Sequence, residues 1–374
     1  HNTPQMLLIF WWDRQLCLPL CDYNLIKWIY LNSIYIMEDN SLVSVIVLAY
    51  NQQDSIARTL DSILMQKCRL PIEIVVGDDA STDGTRAVCE DYARRYPDIV
   101  RLMPAAPNKG MVDNYFDCML ACRGKYIADC AGDDYWTDPK KLDKEVEIME
   151  ADPSVTIVHT NWRTYNEDTH ETKDNVVEQF PAPKTDGKQM LEAIITQTTA
   201  PVVHLCTALY RAKTIKRCYA ADTDLFRNKD LGCEDIQTVF MLAINGKVAY
   251  LPDVTMTYSI GKPSVSNQCN HAKQFRFVRQ TAMLSWLLAS KAGIDTGRTR
   301  WFFSLRTFEL LMHAFRSGDA KLKAVALECM STWNVKPDRK IKTVLAVMSN
   351  TVLWNVMLGV RGAFVALKRV LNLA

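Results

Sequence analysis

From Leu42 onward, short runs of β-branched residues alternate with stretches whose apolar positions recur at helical spacing. The strand-like runs are Val43 to Ala49, Ile72 to Gly77, Ile99 to Met103, Tyr126 to Asp129 and Val155 to His159. Between them, Asp54 to Gln66, Thr82 to Tyr96, Met111 to Cys122 and Pro139 to Ala151 read as helices. Such alternation predicts an α/β fold, a mostly parallel sheet with crossover helices. Ligands of these sheets bind beyond the carboxyl ends of the strands. That rule singles out Tyr50-Asn51, Asp78 to Asp83 and Asp129 to Trp136.

Residues 163 to 187 are polar and broken by Pro181, Pro183 and Gly187, and are expected to form a mobile loop or lid. A second block follows, with a helix near Gly187 to Thr196, a strand near His204 to Tyr210 and a helix opening at Cys233-Glu234-Asp235. After about Cys269 the pattern is helical to the end, with breaks at Gly318-Asp319 and Lys336-Pro337-Asp338. Thr343 to Val360 holds 18 residues without a charge, flanked by Arg339, Lys340 and Lys342 and by Arg361, Lys368 and Arg369. Ser349, Asn350 and Asn355 lower its hydrophobicity, so a helix lying on an anionic membrane surface or packed on the domain is favoured over a span. The expected partition is an N-terminal extension at 1–36, an α/β domain at 37–267 and a helical region at 268–374.

Composition narrows the partners. The 374 residues are 48% hydrophobic and 23% charged, with a net charge of +2, so no basic field argues for nucleic acid. Twelve cysteines stand singly without a C-x-x-C pair, as expected of reduced thiols in a cytoplasmic protein. Cys118 and Cys122, one helical turn apart, are expected to pack on a helix face. In the first 36 residues, Asp13, Arg14, Asp22 and Lys27 interrupt the apolar stretch, and neither a membrane span nor a secretory signal is expected there. Met37 reads as the natural start of the folded protein.

The strongest chemical signal is Gly132-Asp133-Asp134-Tyr135-Trp136, between a strand and a helix. Adjacent ionised carboxylates repel unless a cation or donor offsets them. A divalent ion with hard oxygen ligands, Mg²⁺ or Mn²⁺, is the simplest offset. Acids at a helix N-terminus explain Asp138 before Pro139 but explain Asp133 and Asp134 poorly. In Asp78 to Thr85, Ser81, Thr82 and Asp83 can cap the next helix, which leaves Asp79 over. Beside Tyr50 and Asn51, its carboxylate can accept from the imide of a uracil or the amine of another base, while Tyr50 offers a ring face.

Taken together, Val43 to Asn51, Ile74 to Thr85, Asn108-Lys109-Gly110 and Gly124 to Trp136 are similar in order and spacing to a family-2 glycosyltransferase of the GT-A fold, over roughly residues 42–267. The resemblance implies that Asp79 contacts the base, Asp133 the ribose and metal, and that Asp134 is the principal ligand of Mn²⁺ or Mg²⁺. Tyr50, Asn51, Lys109 and Trp136 join the substrate-binding set; for Trp136 and Trp162, an acceptor platform of aromatic faces and packing in the core are equal readings. Glu234-Asp235 resembles the family's acidic pair, with Asp235 as general base and Glu234 as the fallback. Single displacement with inversion follows from the resemblance alone. So do a nucleotide-sugar donor (UDP-sugar favoured), a glycan or lipid-linked acceptor, and cell-surface polysaccharide or lipopolysaccharide synthesis at the cytoplasmic membrane face.

The chain departs from the family in three places. Ala131 stands where many relatives carry an acid; Gly261 stands where a histidine metal ligand is common; and Arg300-Trp301 lacks the glutamine of processive polymerases. His204 is expected to be half-buried and non-catalytic. The rival readings are an inactive nucleotide-sugar-binding relative and a nucleotidyltransferase, the latter lacking a Gly-rich basic loop after the first strand.

Overall fold

The computed structural model describes residues 41–175, 182–197, 203–261, 270–350, 352–357 and 359–360. Strands β1 (Val43–Ala49), β2 (Ile72–Asp78), β3 (Val100–Leu102) and β4 (Tyr126–Ala131) lie parallel in the order β3-β2-β1-β4. Successive side chains of a strand point to opposite faces, so Val43, Val45 and Val47 of β1 enter one core and Ile46 the other. Helices α1 (Ile56–Leu64) and α2 (Thr85–Arg95) cover the first face, α3 (Met111–Ala121) the second, and α4 (Lys141–Ala151) returns to the first. Cys118 and Cys122 are buried in the second core, as expected, and burial pushes the Cys118 thiol up to about 12.

The sheet continues through β5 (Tyr135–Trp136), β6 (Val155–Asn166), β7 (Thr172–Asp174), β8 (Lys184–Asp186), β9 (Ala208–Arg211) and β10 (Lys247–Ile260). Strand β9 runs antiparallel between β4 and β6, β10 lies parallel to β6, and β5 closes the edge antiparallel to β10. The result is the expected mixed, mostly parallel sheet flanked by helices. Helices α5 (Leu191–Thr196), α6 (Ala212–Ala221), α7 (Thr223–Arg227) and α8 (Asp235–Ile244) extend the second face.

Three expectations need correction. The polar stretch after Trp162 is not a lid through its first half, because β6 runs on to Asn166 and turns back as β7, paired at Arg163–Asp174, Thr164–Lys173 and Tyr165–Thr172. Residues 176–181 of that stretch lie outside the described residues. The expected strand at 204–207 is one 3₁₀ turn, Leu205–Thr207, before β9. Strand β10 had no counterpart among the expected strands; Pro252 and Asp253 interrupt its pattern, and register shifts around Leu251 and Val254 accommodate them.

Helices α9 (His271–Ala292), α10 (Gly297–Ser317), α11 (Ala320–Thr332) and α12 (Arg339–Ser349) form a third core around Phe302, Leu310, Leu311, Trp333 and Ile341. Side chains of Asn270, Thr296, Asp319 and Asp338 cap their N-termini. The uncharged stretch from Thr343 is not one helix, since α12 stops at Ser349 and helix resumes at 352–357. Among the described residues no helix is long and apolar enough to cross a membrane. All these elements belong to one compact unit, Asp39–Ala374.

Candidate active site

The loops after β1, β2 and β4 meet as the crossover rule requires, and specific hydrogen bonds knit them. Asn51 adopts φ +53°, its Oδ1 accepting from Thr82 N at 2.8 Å while its own N–H donates to Ser81 Oγ at 2.9 Å. Asp79 is 6% exposed; Oδ1 accepts from Lys109 N and Oδ2 from Gly110 N, both at 2.9 Å. Asn108 Nδ2 donates to the Asp79 carbonyl at 2.8 Å. Asp79 thus clamps the Asn108-Lys109-Gly110 segment and leaves each oxygen one further lone pair. The Lys109 ammonium is tied to Asp117 at 2.5 Å. Tyr50 presents its ring openly, 51% exposed.

The Asp133-Asp134 turn sits against the start of α1. A Cβ at Gly132 would lie 2.9 Å from the Leu48 carbonyl oxygen and closer still to Gln52 Oε1, so glycine permits the close approach. The Asp133 carbonyl accepts from Ser259 Oγ at 2.8 Å and from Arg58 Nη2 at 3.0 Å. Arg58 also reaches Glu167 at 3.1 Å and stands over the Tyr135 ring, 4.3 Å from its centroid. Asp134 is fully enclosed, Oδ1 accepting from Ser259 N at 3.0 Å and Oδ2 having no partner. Burial pushes both carboxyls up, and the charge of Asp133 adds to the rise at Asp134. Asp133 is the more accessible member of the pair. Trp136, by contrast, is a core residue at 1% exposure, its indole donating to the Cys206 carbonyl at 3.1 Å and its ring face covered by Lys141. Of the two readings open for Trp136, this burial favours core packing over an acceptor platform.

At the N-terminus of α8, Asp235 Oδ1 accepts from Ile236 N at 2.7 Å. Burial first, then the charge of Asp235, pushes Glu234 up to about 8. Burial first, then the charges of Asp134 and Asp133, pushes the Tyr258 hydroxyl of β10 up to about 12. His204 packs its ring 5.0 Å from Tyr258 and 5.4 Å from Trp162, and burial pushes it down to about 4, leaving a neutral imidazole.

Reading the sequence missed Arg58 and Ser259, which fasten the carboxylate turn. Arg58 lies within a helix and no motif marks it; Ser259 is two residues before Gly261 in the stretch that departs from the family. Gly261 has φ +115°, and a Cβ there would be 3.0 Å from both Asn166 Oδ1 and Asp168 Oδ2. The next residue, Lys262, lies outside the described residues.

Residues 44–218 match the family model for glycosyl transferase family 2. An uncharacterized protein of Mycobacterium tuberculosis is 40% identical over 126 residues, 34% of this chain and 36% of that protein. The UDP-Glc:alpha-D-GlcNAc-diphosphoundecaprenol beta-1,3-glucosyltransferase WfaP of Escherichia coli is 34% identical over 113 residues, 30% of this chain and 42% of that protein. The matches thus span well under half of these curated relatives. Among solved structures, S. aureus TarS 1-349 in complex with UDP-GlcNAc has a TM-score of 0.55 at 16% identity, covering 78% of this chain and 80% of that one, a likeness of fold.

Proposed function

From the premise that residues 44–218 are a domain of glycosyl transferase family 2, we propose that the chain moves a sugar from a nucleoside-diphosphate sugar to an acceptor hydroxyl, with inversion. The observation that carries this reading is the meeting of the loops after β1, β2 and β4, which brings Asp79 and the Asp133-Asp134 turn, with its buried and partnerless Asp134 Oδ2, to the carboxyl ends of the parallel strands.

The first pair fits a divalent cation. Asp134 Oδ2 is buried without a partner next to a second carboxylate, and such oxygens suit Mn²⁺ or Mg²⁺. Among the described residues no group of three His, Cys, Asp or Glu is poised to hold a metal, so donor phosphates and water would complete the shell around Asp133 and Asp134. When bound, the ion would supply charge compensation for the departing diphosphate. Arg58 and Ser259 hold the turn in place by its backbone.

Asp79 retains acceptor capacity for a base N–H, and Tyr50 offers a stacking face. Lys109 contributes its backbone N–H to Asp79 rather than its charge to the donor. Asp235 takes the acceptor proton, beside Glu234, whose carboxyl is raised by burial and by the charge of Asp235. A UDP-sugar donor and a lipid-linked acceptor are favoured because WfaP's name records both. The setting is cell-surface polysaccharide or lipopolysaccharide assembly at the inner membrane face. Val352, Leu353, Val356, Met357 and Val360 are exposed and follow basic Arg339, Lys340 and Lys342, which supports contact with an anionic surface.

The test is thermal stabilisation of the full chain by UDP-Glc, UDP-GlcNAc and GDP-Man, each with Mn²⁺, Mg²⁺ or EDTA, followed by nucleotide release with lipid-linked acceptors. Cation-dependent stabilisation by one donor, lost in Asp133→Ala, is expected. Binding without transfer to any acceptor would favour an inactive relative, and no binding at all would remove the reading.

A further inference from the structure

The segment that meets Asp79 is itself held from a distance. Asp79 accepts from the backbone N–H groups of Lys109 and Gly110, yet residues 104–108 leading to them are exposed, and a Cβ at Gly110, φ +87°, would meet nothing within 4 Å. Packing therefore contributes little to holding these two donors in place. Charged side chains supply what packing lacks. The Lys109 ammonium pairs with Asp117 Oδ2 of α3 at 2.5 Å, and Arg227, at the end of α7, takes Asp117 Oδ1 at 2.7 Å. The same guanidinium donates to the Asp113 carbonyl at 3.0 Å and pairs with Asp113 Oδ1 at 3.3 Å. Lys229, in the 3₁₀ turn Lys229–Leu231, closes the ring: its ammonium meets Asp113 Oδ2 at 2.7 Å and donates to the Lys109 carbonyl at 3.2 Å.

The far side of this network is anchored too. Arg227 Nε donates to the Tyr219 hydroxyl of α6 at 2.8 Å, and Gln280 Nε2 of α9 donates to the Lys229 carbonyl at 2.9 Å. Gly232, φ +69°, lets the chain after the turn lie against Gln280, where a Cβ would come within 2.7 Å of that side chain. Burial opposes ionisation of the two acids, but Lys229 and Arg227 at Asp113, and Lys109 and Arg227 at Asp117, hold both carboxyls below the ordinary range. The network is therefore fully charged at neutral pH. A planar guanidinium fork can hold two carboxylates in fixed geometry, which a point-like ammonium does not do.

We infer that Arg227 and Lys229 are positioning residues for recognition of the donor's base: through Asp113, Asp117 and the Lys109 carbonyl they fix residues 108–110, whose N–H groups keep the Asp79 carboxylate in one orientation. This rests on the reading of Asp79 as the base contact. A carboxylate fixed in this way discriminates by the edge it meets. Uracil and guanine present a ring N–H to it, whereas cytosine presents a ring lone pair that it repels. A carboxylate able to turn accepts cytosine through the amine instead. Base selectivity, and not affinity alone, is what the network supplies.

The experiment uses the full chain with Mn²⁺ and compares wild type with Lys229→Met, Lys229→Arg, Arg227→Met and Arg227→Lys. Titration calorimetry gives Kd for UDP, GDP and CDP, and hydrogen exchange of the ligand-free chain follows the amides of Lys109 and Gly110. Wild type should bind UDP or GDP more tightly than CDP. Lys229→Met should narrow that ratio about two- to fivefold, as loss of partly exposed ion pairs implies. Arg227→Met, which strips both carboxylates, should narrow it about tenfold. Exchange at the two amides should speed up in the same order. Lys229→Arg should restore both readouts, while Arg227→Lys should not. The Lys229 side chain is 66% exposed, so its variants carry the test should Arg227→Met fail to fold. Loss of packing alone would weaken the three nucleotides alike and leave the ratio unmoved. Equal binding of the three by wild type, or an unmoved ratio or amide exchange in Lys229→Met, would overturn the inference while donor binding stands. A wild type that binds none of them would instead remove the donor reading, and this one with it.

Discussion

Asp134→Asn makes the sharpest test of the electrostatics. The wild-type carboxyl is fully enclosed, with one oxygen satisfied by Ser259 N and the other by nothing, and Asp133 stands beside it. Its folded pKa is raised well above the unfolded value, so the folded state holds a proton that the unfolded chain has released. Without a cation, the stability it contributes is present at low pH and is lost as pH rises above the ordinary Asp range. Asparagine keeps the acceptor for Ser259, carries no charge at any pH, and replaces the orphaned oxygen with an N–H donor facing Asp133. Removing an unsatisfied, uncompensated buried group is worth about 1–3 kcal/mol at pH 8. At an unfolding entropy of about 2 cal/mol/K per residue over 374 residues, that becomes a rise of about 1–4 °C in Tm. Calorimetry in EDTA should show this gain at pH 8 and its shrinkage toward pH 5. Adding Mn²⁺ and donor should stabilise wild type and leave the variant unmoved, with transfer abolished. A variant melting at or below wild type at pH 8 in EDTA would refute the idea that the pair is a liability without a cation.

Further perturbations probe other parts of the molecule. Asp235→Asn should leave donor affinity nearly intact, by titration calorimetry, while kcat falls by about 10²-fold or more. Gly261→His should not restore a metal ligand, because the left-handed backbone and the crowding by Asn166 and Asp168 cost about 1–2 kcal/mol; a tighter Mn²⁺ affinity would contradict this. Glu145→Gln breaks a fully buried pair with Lys141 at 2.8 Å and should lower stability by about 3–5 kcal/mol in denaturant titration. Val356→Glu should release the chain from phosphatidylglycerol vesicles in a flotation assay without changing Tm, since that side chain is 54% exposed; unchanged flotation would remove the membrane contact.

The linear pattern was enough to read the first half of the sheet, because β1, β2, β3 and β4 are buried runs and their helices carry one apolar face each. Placement of Asp79, Asp133 and Asp134 also followed, since strand carboxyl ends are fixed by strand order. The roles within that frame were decided in three dimensions. Lys109 is spent on Asp117, Trp136 is spent on the core, and Arg58 and Ser259 arrive from α1 and β10 to hold a turn 75 and 126 residues away in sequence. Strand β10 and the β6–β7 hairpin form because neighbouring strands supply hydrogen bonds that their polar residues do not advertise. Periodicity reports which face a residue shows; only packing determines which partner meets it, and at this site the partners set which carboxyls stay charged.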